Sequence, residues 1–295
     1  MATVNTSMQG KICVVTGANS GIGKATALGL AQMGATVVMV SRDRTRGEAA
    51  QSEVKEQCGN KAVDLLLADL SSQQSIRQLA EHFKQRYSQL HVLINNAGGF
   101  NLSRRETIGG LERTFAVNYL APFLLTNLLL DVIKASAPAR IVNVSSGAHE
   151  AGYIRLDDLQ AMKHYRPMRA YGQSKLALVL FTYELARRLE GTGVTANCLH
   201  PGFVATNIAQ RDLVFPARII AKLYISLAGI SPEEGAKTSI YLASSPDVEG
   251  VTGKYFVKSR ARQSTAISYD ESLQRQLWEI SEGLEELHET AGHRG

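Results

Sequence analysis

Short apolar runs alternate with helical patterns along most of this 295-residue chain, and this alternation constrains the fold more than any other feature. Each run is brief, rich in Val and Ile, and followed by Gly, Ser, Asn or Asp, as is typical of a buried strand. The sequence predicts strands at 11–17, 35–41, 61–69, 91–98, 139–146 and 194–202, with KYFV at 254–257 as a candidate for one more. It predicts helices at 22–34, 45–58, 72–88, 110–136 and 168–190.

Strand–helix alternation produces parallel strands joined by right-handed crossovers. The predicted class is therefore α/β, a single-domain Rossmann fold in which a doubly wound parallel sheet carries helices on both faces. No linker rich in Pro, Gly or Ser interrupts the pattern, so we expect one domain over 1–295, with a C-terminal extension over 258–295. Within that extension, residues 267–289 are expected to form an amphipathic helix that contains Trp278.

Charge and composition narrow the choice of partners. The net charge is +5, but the densest basic cluster, Arg42, Arg44 and Arg46, is short, so it fits a small phosphorylated ligand better than nucleic acid. Three widely spaced cysteines and seven histidines without paired-ligand spacing indicate a reducing compartment and no catalytic metal. We read no signal peptide and no integral membrane segment, and expect a cytoplasmic protein.

A glycine-rich turn joins the first strand to a helix. In TGANSGIGKA, Gly17, Gly21 and Gly23 are spaced G-x-x-x-G-x-G, which differs from the commoner G-x-G-x-x-G spacing. Glycines let the backbone approach a pyrophosphate, which would rest on the helix N-terminus beginning near Ile22. The position of the turn between a strand and a helix predicts a dinucleotide site.

The end of the second strand bears on which dinucleotide is bound. Ser41 and Arg42 stand where a carboxylate would accept from a ribose 2′-hydroxyl and repel a 2′-phosphate. A small hydroxyl followed by a guanidinium can instead grip that phosphate. The pair therefore favours NADP(H) over NAD(H), although a solvated arginine after a strand would carry no such information.

Tyr171 and Lys175 lie four residues apart within a strong helical pattern, so they share one helix face. A nearby ammonium stabilises a phenolate, and a tyrosine tuned in this way could exchange a proton with an alcohol oxygen. In isolation the pair could equally be a surface contact. It is not isolated, because Ser145-Ser146 ends the fifth strand, Asn95-Asn96-Ala97-Gly98 ends the fourth, and Asn118 begins a helix.

Together, TGANSGIG, NNAG, VNVSS, YGQSK and HPG resemble the short-chain dehydrogenase/reductase family, in the branch with the G-x-x-x-G-x-G turn. The resemblance covers about residues 9–257, with the motifs in family order. It implies that Tyr171 is the general acid/base, that Lys175 lowers its pKa and holds ribose hydroxyls, and that Ser146 binds the substrate oxygen. Asn118 would support a proton-relay water. Cofactor contacts are implied for Gly17, Asn19, Ser20, Gly21, Ile22, Gly23, Ser41, Arg42, Asp69, Leu70, Asn96, Ala97, Gly98, Tyr171, Lys175, Pro201, Gly202, Val204 and Thr206.

Within the family the chain resembles the retinol-dehydrogenase-like group, which reduces lipophilic aldehydes. The features are the long gap between Ser146 and Tyr171, the segments SSGAHEAG, YGQSKLALVLFTYELARRL and GKYF, and the tail QRQLWEISEGL. The chain departs from vertebrate members in its N-terminus, where we read no membrane anchor. The resemblance also implies a homodimer or homotetramer through the helices near 110–136 and 168–190.

Two segments are expected to close over the nicotinamide: residues 147–170 and a lid at 203–232. The lid's apolar stripe is as compatible with a core or subunit contact as with a lipophilic substrate; it comprises Leu213, Val214, Phe215, Ile219, Ile220, Leu223 and Tyr224. His149, Tyr153 and His164 are further candidates for substrate contact. Two alternatives remain: a catalytically silent NADP(H)-sensing regulatory protein and a sugar-nucleotide epimerase of the extended type.

Overall fold

The computed structural model describes residues 7–202 and 230–291, with side chains up to residue 285. Its centre is an eight-stranded sheet in the order β3-β2-β1-β4-β5-β6-β7-β8. Neighbouring strands are parallel except β7 and β8, which form an antiparallel pair. The strands are β1 Ile12–Thr16, β2 Thr36–Ser41, β3 Val63–Leu67, β4 Val92–Asn95, β5 Ala139–Val144, β6 Val194–His200, β7 Tyr255–Val257 and β8 Arg260–Arg262.

The predicted doubly wound fold is confirmed, and every predicted strand is present. Sequence reasoning missed β8, because its three residues are all exposed and carry no apolar alternation. The tight connection from β7 to β8 places Lys258 and Ser259 at positive φ. The strand order reverses between β1 and β4, which opens a crevice at the carboxyl ends of these strands.

The described helices flank both faces of the sheet. They are α1 Gly21–Gln32, α2 Arg44–Cys58, α3 Gln73–Arg86, α4 Arg113–Phe115, α5 Ala121–Ala135, α6 Pro167–Arg188, α7 Pro232–Ser244 and α8 Glu271–Ala291. The helix expected over 110–136 is divided, because a π-helical turn at Ala116–Leu120 separates α4 from α5. Residues 203–229, and with them most of the expected lid and its apolar stripe, lie outside the described residues.

The last helix, α8, packs on α5 and α6. Trp278 lies with its ring centroid 4.8 Å from that of Phe123 and 5.6 Å from that of Phe181. The guanidinium of Arg188 stacks on the outer side of the indole at 4.1 Å. The last helix, α8, therefore covers the side of α5 and α6 on which these aromatic rings lie. A subunit contact through these two helices would have to use other parts of their surface.

Residues Arg113–Ala135 form one described helical stretch that is long and apolar enough to cross a membrane. Of its most apolar window, 67% is buried inside the protein. Core helices of soluble proteins pass the same test of length and composition, so the stretch is weak evidence for a span.

Candidate active site

The glycine turn after β1 is shaped by close packing. Gly17 and Gly21 adopt φ values of 67° and 56°, which residues with a side chain rarely do. A Cβ on Gly23 would lie 2.4 Å from the carbonyl oxygen of Gly17 and 2.4 Å from Nδ2 of Asn96. These glycines bring the turn against β4. Asn19 and Ser20 precede α1, which starts at Gly21 and has Ile22 as its second residue.

The start of α1 suits an anion. Its first turn contains no acidic residue, and the side chain of its N-cap residue, Ser20, makes no capping hydrogen bond. The first N–H groups of a helix have no partner within the helix, so they remain available to phosphate oxygens. The residues present therefore fit the pyrophosphate of a dinucleotide.

Asn96 and Thr16 join the glycine turn to the end of β4. Asn96 donates from Nδ2 to the Thr16 carbonyl at 2.8 Å. The Thr16 hydroxyl accepts from the backbone N–H groups of Asn96 and Ala97 at 3.0 Å each. The neighbouring Asn95 is buried and bonds to Thr126 and Asn143 instead, so it belongs to the core. Asn96, Ala97 and Gly98 thus line the crevice beside the turn.

The region expected to bind adenosine lies at the ends of β2 and β3. Ser41 is buried and its hydroxyl donates to the Asp43 carbonyl at 3.0 Å, whereas Arg42 is exposed. No other described residue pairs with the Arg42 guanidinium. Asp43 caps α2 by accepting from Arg46 N–H, so its carboxylate bonds to the helix N-terminus rather than to Arg42. Asp69, followed by Leu70, accepts from the Ser71 N–H and hydroxyl, which orders the turn after β3.

Tyr171 and Ser146 meet at the carboxyl end of β5. Their hydroxyl groups face each other, and Phe100 lies edge-on to the Tyr171 ring at 5.6 Å between centroids. The Ser145 hydroxyl instead donates to the Lys175 carbonyl at 2.9 Å and is buried. Successive strand residues face opposite ways, and here Ser146 is the serine that faces Tyr171.

Burial raises the pKa of Tyr171, and the hydrogen bond from Ser146 only partly opposes this rise. The sequence predicted a depressed pKa, so this expectation is wrong for the structure as it stands. Lys175 lies 5.9 Å from the centroid of the Tyr171 ring, and its ammonium donates to the Val144 carbonyl at 2.9 Å. Burial lowers the pKa of Lys175 to about 8, so the ammonium remains its main form at pH 7.

Replacing Lys175 by Met is expected to stabilise the protein at pH 7. The folded-state pKa is about 8 against an ordinary 10.5, so the unfolded chain binds more protons between these two pH values, and the penalty on the folded state is complete below pH 8. At about 1.4 kcal/mol per unit the penalty is about 3 kcal/mol, and the lost hydrogen bond to Val144 offsets about 1. Urea unfolding of K175M should show a gain of about 2 kcal/mol at pH 7 that shrinks towards pH 10.

Lys237, whose side chain is 65% exposed, is the matched control, since K237M should show no such trend. A destabilised K175M at pH 7 would contradict the burial argument.

Asn118 lies in the π-helical turn and fixes the loop after β4. Its Oδ1 accepts from Gly99 N–H at 2.7 Å, and its Nδ2 donates to the Gly99 carbonyl and to the Ser174 hydroxyl. The side chain is therefore fully engaged. Pro122, four residues later, has no N–H, so the main-chain carbonyl of Asn118 lacks its α-helical donor.

The segment between β5 and α6 is hydrogen-bonded to the loop that follows β4. Arg104 donates from Nε to the Gln160 carbonyl at 3.1 Å, and the Tyr165 hydroxyl donates to the Asn101 carbonyl at 2.9 Å. Of the three expected substrate contacts, Tyr153 and His164 are exposed and His149 is fully buried. His149 thus packs inside the protein rather than against a substrate.

The nicotinamide end of the crevice is described only in part. Pro201 and Gly202 follow β6, and Gly202 has a φ of 95°. Val204 and Thr206 lie outside the described residues. Within the described ranges, no group of three or more His, Cys, Asp or Glu side chains is placed to hold a metal ion.

The crevice, the glycine turn and the Ser146–Tyr171–Lys175 group define a dinucleotide-binding oxidoreductase. Residues 11–213 match the family described as short chain dehydrogenase. The chain belongs to this family.

Comparisons with individual proteins agree with this family assignment. The chain is 46% identical to "Retinol dehydrogenase 14" of Mus musculus over 286 residues, covering 93% of this chain and 86% of that protein. It is 44% identical to "Polyprenol dehydrogenase" of Homo sapiens over 277 residues, covering 92% and 84%. A solved complex of RhlG from Pseudomonas aeruginosa with NADP in its active site superposes with a TM-score of 0.67 at 28% identity, covering 87% and 97%.

Proposed function

We propose that this oxidoreductase uses NADP(H) to interconvert a lipophilic alcohol and the corresponding aldehyde or ketone. The observation that carries the proposal is that the Ser146 and Tyr171 hydroxyls face each other at the end of β5, beside the glycine turn. When bound, NADPH supplies a hydride to the carbonyl carbon. The Gly17–Gly23 turn, Asn96 and Lys175 would hold it, and Arg42 would hold the 2′-phosphate.

Ser146 and Tyr171 would both donate to the substrate's carbonyl oxygen, and this would polarise the carbonyl carbon. Because burial keeps the Tyr171 phenol protonated at neutral pH, it can give its proton to the oxygen as negative charge develops there. The buried main-chain carbonyl of Asn118, whose α-helical donor position is occupied by Pro122, would hold a relay water that returns a proton to the site. This relay rests on the geometry of the π-helical turn.

The substrate class rests on the relatives and on the wall of the crevice. Retinol and polyprenol, named in two relatives more than 40% identical, are apolar alcohols. Phe100 contributes an apolar surface directly beside Tyr171. We also propose a cytoplasmic location and a homodimer or homotetramer, in which the contact surfaces lie away from the side of α5 and α6 that α8 covers.

The direct test is oxidation of NADPH, with NADH in parallel, by the purified protein across aliphatic, aromatic and retinoid aldehydes and ketones. We expect turnover with NADPH that improves as the substrate becomes more apolar. Tight NADPH binding without turnover on any carbonyl would favour a nucleotide-sensing protein instead.

Arg42→Asp should reverse the cofactor preference. The substitution removes a bidentate partner of the 2′-phosphate and places a carboxylate where a ribose 2′-hydroxyl can donate. A lost hydrogen bond to a charged group is worth about 1.5–3 kcal/mol, so kcat/KM with NADPH should fall at least about tenfold while that with NADH rises. Arg46→Asp applies the same charge change four residues further along, in the first turn of α2, and distinguishes direct contact with the phosphate from the general positive potential. Unchanged NADPH selectivity in R42D would remove Arg42 from the phosphate site.

A further inference from the structure

One peptide unit next to the proposed active site is held at both of its polar atoms by histidine rings. The unit joins Ser146 to Gly147, immediately after the serine that faces Tyr171. Its carbonyl oxygen lies 2.8 Å from Nδ1 of His149, and its N–H donates to Nδ1 of His200 at 3.1 Å. His149 is three residues further along the chain, whereas His200 is the last residue of β6.

The partners fix a different tautomer on each ring. His200 accepts at Nδ1 from Gly147 N–H and also from Gly202 N–H at 3.4 Å, so its Nδ1 carries no proton. His149 faces a carbonyl at Nδ1, which therefore must carry the proton. Its Nε2 accepts from Thr265 N–H at 3.4 Å, so that nitrogen is unprotonated. Both rings are accordingly neutral, with the proton on Nδ1 in His149 and on Nε2 in His200.

The surroundings favour these neutral forms. His149 is fully buried, and its ring lies 4.7 Å from that of Tyr255. Burial lowers the pKa of both histidines, and His149 lowers that of His200 further. The charged group facing the pair is the Glu150 carboxylate, which opposes the shift in each case. A proton added to either ring would set a new N–H against a backbone N–H that now donates to it.

We propose that His149 and His200 are positioning residues that clamp the Ser146–Gly147 peptide and so aim the Ser146 hydroxyl at the substrate oxygen. The inference rests on the proposed function. The clamp also ties the serine to two distant parts of the chain: Thr265 in the C-terminal extension and Gly202 after β6. Acid should release it at His200, because protonation of Nδ1 turns the acceptor of the Gly147 N–H into a donor. Protonation of His149 at Nε2 would release Thr265 and leave its bond to the Ser146 carbonyl in place.

Substitutions can separate the clamp from simple packing. Asn at 149 can still donate to the Ser146 carbonyl, and Asn at 200 can still accept from Gly147, but neither titrates. H149L and H200L remove the hydrogen bonds. We expect each Leu variant to lose about 10- to 100-fold in kcat, the scale of a misplaced catalytic group, with NADPH affinity unchanged. H149N and H200N should recover most of that loss, and the double Asn variant should lack the acid limb of the kcat profile.

Normal kcat in both Leu variants, or an unchanged acid limb in the double Asn variant, would overturn the proposal. If the Leu variants do not fold, ¹⁵N spectra of the histidine rings in the wild-type protein test the proposal instead. They should show a protonated Nδ1 in His149 and a protonated Nε2 in His200 at pH 7, with both rings titrating below about 6.5. The opposite tautomers, or charged rings at pH 7, would refute the clamp. Absence of wild-type turnover would instead refute the proposed function, so the two failures are distinguishable.

Discussion

Tyr171→Phe is expected to bind NADPH as tightly as the wild-type protein and to reduce carbonyls at least about a hundredfold more slowly, the usual scale of general acid–base catalysis. The substitution keeps the ring that packs edge-on against Phe100 and removes only the hydroxyl that faces Ser146. The substrate oxygen would then lose its proton donor while the cofactor site stays intact.

The measurement is carbonyl reduction at pH 7, because burial raises the pKa of Tyr171 and keeps the phenol in its proton-donating form there. Fluorescence titration with NADPH supplies the binding constant for each variant. Tyr153→Phe is the matched control, since Tyr153 is 67% exposed and should tolerate the change. A near-normal rate in Y171F would show that another group delivers the proton.

Trp278→Ala is expected to lower the free energy of unfolding by about 3–5 kcal/mol, the range for truncating a large buried aromatic side chain. Trp278 is only 4% exposed and contacts Phe123 and Phe181. Its Nε1 donates to Glu282 at 2.6 Å, and Arg188 covers its ring. All these contacts tie α8 to α5 and α6.

Urea unfolding would measure the loss, with W278F as the control that keeps a ring in the cavity. Because loss of the indole would loosen α8 and expose the apolar side of α5 and α6 beneath it, W278A should also self-associate on a sizing column. A loss below about 1 kcal/mol would mean that α8 contributes little to stability, contrary to the packing argument.

The features of this protein that are formed by residues close together in the chain could be predicted from its sequence. Strands and helices show as apolar runs and helical periodicity, because each is stabilised by contacts that recur at a fixed spacing along the chain. The glycine turn and the placement of Tyr171 and Lys175 on one helix face are equally local. Consequently, the doubly wound sheet and the motifs at its strand ends were predictable.

Tertiary structure decided what depends on burial or on residues far apart in the chain. The pKa of Tyr171 rises rather than falls because burial desolvates the phenol. The Asn118 side chain is hydrogen-bonded to Gly99 and Ser174. His149 and His200, which are 51 residues apart in the sequence, contact the same peptide unit.

The same reason explains α8. Its amphipathic pattern indicates that one face is buried but cannot say against what, because any apolar surface would satisfy it. Only the folded chain shows that Trp278 fits between Phe123, Phe181 and Arg188. The sequence by itself thus determined the elements, their order and the catalytic motifs, whereas packing decided the partners and protonation of each side chain.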